Sequence, residues 1–542
     1  MWICYAEVVA SGVAKECLEM SVIEIADLGM VGLIRDQEGN ILPPEAWTYA
    51  RNMRAVADGV ERIGGQTQVF GTPGVAPHFA MPISTPTQVF WLYTSLTKGY
   101  VYDGATHTDI TRISGNYTTG NTRDWNGALL GGVPILNNGN DPPQQWSPLS
   151  TGTKLITLSN WPANTTCKVM RAFGPSLIAL NVTESGTLYP HLVRWSHPAD
   201  PGTVPISWDA SDPTRDAGRV DLPDVNAGVI VDGLSLRGNF FVYKEGSVWR
   251  MTFVGGTFLY DFKTFLETAG ALAPRCITIT GDGSKHVFAS QDDILIHDGN
   301  SYESVLANRY KAFLFNAMDT VNYINSFIFV NPFRDEIVFC FPEKGNVNPN
   351  RAMIWNYKLG KSGSITEADV NYRNAAIGVV ESSSGETWDS SPDSQWDLDI
   401  EQWSIQQRRK VVLCGTDATK FYALDTGITN DGTDFEGKVQ RESIALVGKK
   451  RTGEWIVDWQ KRKLMRRLWI RATGGPISVR VGFQEQENGA TAWTPAQTFN
   501  TATQQYLDIF GSGRAIGIEF YAIVPFKVLS YKLEGELIGD TV

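Results

Sequence analysis

The sequence predicts an all-β chain: a β-propeller of about five to seven blades over residues 20–428, followed by a β-sandwich-like domain over 429–542. Three observations predict it. The first is composition. Fifty-two glycines, 17 Trp, 18 Tyr and 25 Phe in 542 residues describe many turns between short aromatic-rich strands. The second is punctuation: Asp-Gly pairs at Asp58, Asp103, Asp232, Asp282, Asp298 and Asp431 lie beside apolar or alternating residues. Asp-Gly tolerates the positive φ angles of a tight hairpin turn. The third is recurrence. Apolar run, polar turn and second apolar run repeat from near residues 89, 128, 176, 239, 286, 326 and 411, mostly about 40 to 60 residues apart. That period suits one four-stranded blade per repeat.

Taken in order, residues 1–19 read as a possible N-terminal extension, because "MSVIEIADLGMVGLI" from Met20 has the form of a second chain start. The stretch 52–65, "NMRAVADGVERIGG", alternates around Asp58-Gly59 and reads as a hairpin. Helical periodicity is confined to Arg309–Asn316 and Trp47–Met53. Residues 381–407 are acidic and serine-rich, with Trp388, Trp396 and Trp403 seven or eight residues apart, which reads as a loop or edge hairpin. Beyond 429, strictly alternating segments such as "RRLWIRAT", "ISVRVGFQEQ" and "AIGIEFYAI" are separated by turns, as in a sandwich.

Bulk chemistry narrows the function. The net charge of −11 argues against a chain that grips DNA phosphates over its whole surface. Six cysteines without a CxxC pair read as reduced core thiols. No run of eighteen apolar residues marks a membrane span or anchor. The loop "KLGKSG", 358–363, ends like a phosphate loop, but Trp355 stands where the first glycine is required. Asp389, Asp393, Asp397, Asp399 and Glu401 carry oxygen ligands without EF-hand spacing, and read as a solvated loop. "QKRKLMRRLWIR", 460–471, is the most basic segment. It reads as an interface first, a solvated face second and a DNA contact third, with Lys461, Arg462, Lys463, Arg466 and Arg467 as the interface residues. No catalytic constellation, cofactor motif or metal-ligand spacing is singled out, so the residues describe a non-enzymatic all-β assembly protein.

Longer stretches carry a resemblance. "LPPEAWTYARNMRAVADGVERIGG" (42–65) and "NGNDPPQQW" (138–146) begin it. It continues through "LIALNVTESGTLYPHLVRWSHPADPGTVPISWDASDPTRDAGRVDLPD" (177–224) and "IVDGLSLRGNFFVYKEGSVWRMTFVGG" (230–256). "VFASQDDILIHDG", "NPFRDEIVFCFPEKG" and "RAMIWNYK" extend it to 358. Together these resemble the tail nozzle family of short-tailed bacteriophages (podoviruses), also called tail hub or stabilisation proteins. The last hundred residues match more loosely, through Ile477–Gly482.

The resemblance implies a structural virion protein without catalytic residues or cofactor. Six copies form a ring below the portal and adaptor (head-to-tail connector), extend the DNA-ejection channel, and dock tail fibres, spikes or a needle. Genomic DNA passes without specific binding, and the protein resides in the virion tail after assembly in the host cytoplasm. It further implies turn and packing roles for Trp47, Asp58, Gly59, Trp146, Trp195, Trp208, Trp249 and Trp355. The acidic loop 381–407 becomes a candidate lumen or gate. A receptor-binding or polysaccharide-cleaving tail protein is the alternative, and a monomeric solute-binding propeller a third reading.

Overall fold

The computed structural model describes residues 22–120, 124–224, 227–256, 259–380, 409–416, 419–449, 454–487 and 489–538. Strands dominate, and one α-helix, Lys311–Ala317, stands among the described residues.

Seven four-stranded antiparallel units follow one another. Blade one comprises Phe79–Ser84, Val89–Thr94, Gly99–Tyr102 and His107–Asp109. Blade two runs from Asn126–Leu130 to Ile156–Thr157, and blade three from Thr165–Phe173 to Gly218–Asp221. Blade four spans Ile230–Leu236 to Tyr260–Leu266, blade five Ile277–Ile279 to Tyr302–Ser304, and blade six Phe327–Asn331 to Ser364–Asp369. Blade seven takes Tyr372–Val379, Arg409–Gly415 and Phe421–Leu424 from late in the chain, and its fourth strand is Gln66–Val69. That early strand pairs antiparallel with Phe421–Leu424, so the ring closes by hydrogen bonds between distant parts of the chain. All seven recurring strand pairs of the sequence fall inside blades, one per blade.

Apolar residues alternate onto both faces of the blades and make seven seams. Leu92 and Trp146 meet between blades one and two, Met170 and Trp161 between two and three, and Leu180 and Phe240 between three and four. Tyr243 and Phe288 fill the fourth-to-fifth seam, and Phe339 and Val287 the fifth-to-sixth. Val338 and Leu413 lie between six and seven, and Trp91 and Phe421 between seven and one. A radial arrangement of this kind leaves only short outer edges exposed.

The sandwich is not a C-terminal segment alone. One sheet orders Tyr506–Gly513, Arg462–Gly474, Phe526–Ile538, Gly59–Arg62 and Met53–Val56, with Ile23–Ile25 on the far part of Phe526–Ile538. The other carries Tyr49–Arg51, Gly437–Ile444, Ala515–Ala522 and Ile477–Gln484, and continues into blade six through the Glu367–Arg51 pairing. Residues 23–62 therefore belong with the C-terminal strands, with which Ile23–Ile25, Tyr49–Arg51 and Gly59–Arg62 pair, unlike the expected division at 428. Among the described residues they pair with blades only at the outer strand of blade six, through Gly32 and Arg51. The physical reason is that Ile23, Ile25, Met53 and Val60 share one core with Met465, Leu468, Ile518 and Phe520, so these short strands bury their apolar faces only there.

Several local expectations change as well. Trp47–Met53 is strand, not helix, because Trp47 and Ala50 point into the sandwich core while Tyr49 and Arg51 face outward. The helix expected at Arg309–Asn316 occupies Lys311–Ala317. Val56 pairs with Gly59, so Ala57 and Asp58 make the turn and Gly59 opens the returning strand. A Cβ at Gly59 would lie 2.1 Å from the Val528 carbonyl oxygen. Glycine is needed there for close approach of the neighbouring strand. Asp232-Gly233 likewise lies within the strand Ile230–Leu236, where Phe240 covers Gly233.

Candidate functional surfaces

Three features combine charge, geometry and position: the joint between propeller and sandwich, the outer face of the sandwich, and the mouth of the propeller axis.

At the joint, Arg54 projects from Met53–Val56 and is buried. Its Nε and Nη2 donate to Glu336 of blade six at 2.5 and 3.1 Å, and Nη2 also donates to both oxygens of Asp425 at 2.9 and 2.8 Å. Asp425 directly follows Phe421–Leu424, the strand that receives the closing strand. One guanidinium thus ties the sandwich hairpin to blades six and seven. Burial, and the second carboxylate competing for the same cation, push the Glu336 carboxyl up to about 7 against the pull of Arg54. Among the described residues Arg62, on the same hairpin, forms no ion pair. It donates to the carbonyls of Ile428 and Phe435 and lies 3.7 Å over the Phe435 ring. The basic residues of 52–65 are therefore a joint, not an outward nucleic-acid grip.

The basic segment 460–471 forms much of the central strand Arg462–Gly474. Its outward side chains meet carboxylates of the adjoining strands: Arg466 with Glu536 at 2.8 Å, and Arg467 with Asp508 at 3.2 Å and Glu534 at 3.9 Å. Arg462 meets Glu485 across 2.5 Å. Trp469 donates to Glu534 at 2.6 Å and packs on Tyr506, over which the Arg467 guanidinium also lies. Phe510 projects from the edge strand and is 82 % exposed. Lys463 departs from the expected outward row. It is buried, and its Nζ donates to the carbonyls of Asp458, Lys461 and Arg514 at 2.9, 3.0 and 2.5 Å. Burial pulls its ammonium down to about 8, and it has no surface to offer a partner. The basicity of the segment is largely answered within the chain, which leaves an amphipathic, charge-balanced face and not a phosphate-binding stripe.

The axial cavity, of about 550 Å³, opens where the innermost strands of blades two to six begin. Its wall carries Asp124, Lys168, Asn181, Asp232, Glu245 and Arg275 beside Leu272, Tyr323 and Ile324. Asp232 is locked to Arg171 at 2.8 Å, and Lys168 donates to the Gly139 carbonyl at 3.3 Å. In the sequence only Asp232 stands out among these residues, and as part of an Asp-Gly turn, since they come from five blades and no local motif unites them.

Of the expected anchors, Trp146, Trp195, Trp208, Trp249 and Trp355 are buried in blades. Their indoles donate to Thr153, Asp216, Asp224 and Ser362, while Trp208 stacks edge-on against Trp161. Trp47 is an anchor of the sandwich instead: it donates to the Leu28 carbonyl and meets Phe520 edge-on. Asp58 bridges to Lys527 of Phe526–Ile538 at 2.5 Å. Asp389, Asp393, Asp397, Asp399, Glu401 and the three tryptophans of 381–407 lie outside the described residues. Cys167, Cys276, Cys340 and Cys414 are buried free thiols. Among the described residues no trio of His, Cys, Asp or Glu is placed to hold a metal ion, and no helix is long and apolar enough to cross a membrane.

No protein-family model and no curated protein matches the chain. Solved structures similar to it include a candidate 6-phosphogluconolactonase of Bacteroides uniformis, at 12 % identity over 70 % of this chain and 94 % of that one, with a TM-score of 0.36. A quinonprotein alcohol dehydrogenase-like protein of Bacteroides thetaiotaomicron shares 10 % identity over 55 % and 67 %, with a TM-score of 0.31. PorZ, a surface component of the type-IX secretion system of Porphyromonas gingivalis, shares 10 % over 81 % and 47 %, also at 0.31. At these values the likenesses say nothing of what the chain does, and the fold rests on its own strand pairing.

Proposed function

We propose that this chain is a structural tail nozzle subunit of a short-tailed bacteriophage. Six copies form a ring below the portal and adaptor, extend the channel through which DNA leaves, and present a docking surface for fibres, spikes or a needle. The observation that carries the reading is the ordered run of sequence resemblance from 42 to 358, which spans six blades and the joint. The architecture suits the role. A closed propeller tied to a sandwich by buried ion pairs is a stiff building block, and heterologous contacts between identical blocks close into a ring.

Charge supports it too. Six subunits at −11 carry six times that, about −66, and such a wall repels DNA instead of holding it. The conduit is the axis of the ring, between subunits, and not the axis of each propeller. The outer sandwich face around Trp469, Tyr506 and Phe510 is the seam or docking surface in this reading, since aromatic and arginine side chains concentrate binding energy at interfaces. The subunit has no catalytic role in it. The test is assembly: in a complementation assay, charge reversal at Lys461, Arg462 and Arg466 together blocks addition of the nozzle to portal–adaptor particles. Particles that complete their tails normally with that variant would remove the seam from this face.

A further inference from the structure

We infer that the seam of the ring is made by strand addition: the sandwich edge Tyr506–Gly513 of one copy lies along the blade-four edge Tyr260–Leu266 of the next. This rests on the nozzle reading, and it names the mate of the outer sandwich face. An uncovered edge strand is a template for pairing, and folds usually keep such edges short. The outer strands of blades one, two, three, five and seven follow that rule, with two to four residues each. The outer strand of blade six has six residues, and the sandwich pairs with it. Blade four departs from the rule. Tyr260–Leu266 has seven residues and, among the described residues, pairs only with Val248–Phe253. The sandwich carries a second such edge. Tyr506–Gly513 has eight residues and pairs only with Arg462–Gly474 among the described residues, while Gln497 Nε2 donates to its Asp508 carbonyl at a long 3.4 Å.

The two edges match in chemistry. At the start of the blade-four edge, Phe253 and Val254 are more than half exposed, and Phe253 packs on Tyr260. Tyr506 and Phe510 project from the sandwich edge, while Leu507 and Ile509 between them are buried. Each edge also carries an exposed ion pair: Asp261 with Lys263 at 3.0 Å, and Asp508 with Arg467 of the adjoining strand at 3.2 Å. Exposed pairs of this kind contribute little, so Lys263 can exchange its carboxylate for Asp508 of the neighbour, a cross-strand pair of opposite charge. The same contact takes the exposed apolar side chains out of water. The occupant is a second copy of this chain. Every copy offers one edge of each kind, and the two are unlike, so each contact is heterologous and consumes one of each. A closed ring leaves neither edge open, whereas a two-fold dimer through either one leaves the other exposed.

The test is a charge swap read by tail completion on portal–adaptor particles. Lys263→Glu and Asp508→Lys each set like charges across the seam and lower completion about tenfold or more. Both changes in one chain restore completion to within about twofold of the unaltered chain, which misfolding of a single variant would not allow. Normal completion by either single variant, or no restoration by the double variant, overturns the strand pairing and leaves the nozzle reading standing. Single variants that complete the ring but lose fibres or spikes give this edge to a different protein, and that also overturns the pairing. An unaltered chain that never joins the particles overturns both.

Discussion

Arg54→Met is the perturbation that probes the joint most sharply. Methionine keeps most of the stem and removes the cation, leaving Glu336 and Asp425 facing each other with side-chain exposures of 1 % and 17 %. Removing one partner of a buried ion pair costs about 3–5 kcal/mol, because the charge left behind stays desolvated. Here the penalty depends on pH. Glu336 already sits near 7 with the arginine present, above its unfolded value. The folded state therefore holds its proton more tightly, and this group's contribution is full below the unfolded value and is lost as pH rises through 7.

Without Arg54 the carboxyl rises further, and at pH 6 it is neutral in the variant. The penalty then shrinks to the lost hydrogen bonds, about 1–2 kcal/mol. Urea unfolding followed by tryptophan fluorescence at pH 8 and pH 6 reads both values. Arg54→Met/Glu336→Gln recovers much of the pH 8 loss, since the stranded charge is gone. A single-variant loss below about 1 kcal/mol, or one of equal size at both pH values, refutes the reasoning.

Four further outcomes follow from named contacts. In the seam of blades four and five, His297 Nε2 donates to Tyr243, which donates to His286 Nδ1, which in turn donates through Nε2 to the Ser235 carbonyl; the distances are 2.7, 2.9 and 3.0 Å. Burial holds both imidazoles neutral, down to about 3 for His297 and about 4 for His286. The unfolded state therefore binds more protons below about 6.5, and stability falls with acid by up to about 1.4 kcal/mol per pH unit per histidine. His297→Gln flattens the difference in urea midpoint between pH 6.5 and 4.5. Lys463→Ala removes the donor shared by the carbonyls of Asp458, Lys461 and Arg514 and costs about 1–3 kcal/mol by thermal or urea unfolding. Arg466→Ala, whose pair with Glu536 is half exposed on both sides, stays within about 1 kcal/mol. Gly59→Ala forces the strand Phe526–Ile538 away from the hairpin and lowers the stability read from urea unfolding by about 3 kcal/mol.

Blades were legible because each carries its own apolar runs and turns within about 40 to 60 residues. Ring closure was not, because Gln66–Val69 is short and polar and its partner Phe421–Leu424 lies some 350 residues on. The same limit hid the N-terminal share of the sandwich. Ile23–Ile25 and Gly59–Arg62 are too short to declare which sheet they join, and only the shared core with Met465 and Phe520 decides it. Lys463 looked like its basic neighbours, yet strand alternation turns it inward, and carbonyls from two loops and its own strand's approach receive it. The axial cavity has no local sign in the sequence either, because its wall is assembled from five blades.

The central claim is most directly tested by electron cryomicroscopy of the full chain mixed with the portal–adaptor complex encoded in the same genome. The account predicts six copies in a ring that continues the portal axis, each with a seven-bladed propeller closed by Gln66–Val69 and with the outer sandwich face at a seam or docking contact. A chain that never joins the portal–adaptor complex, or that joins in a number other than six, contradicts it.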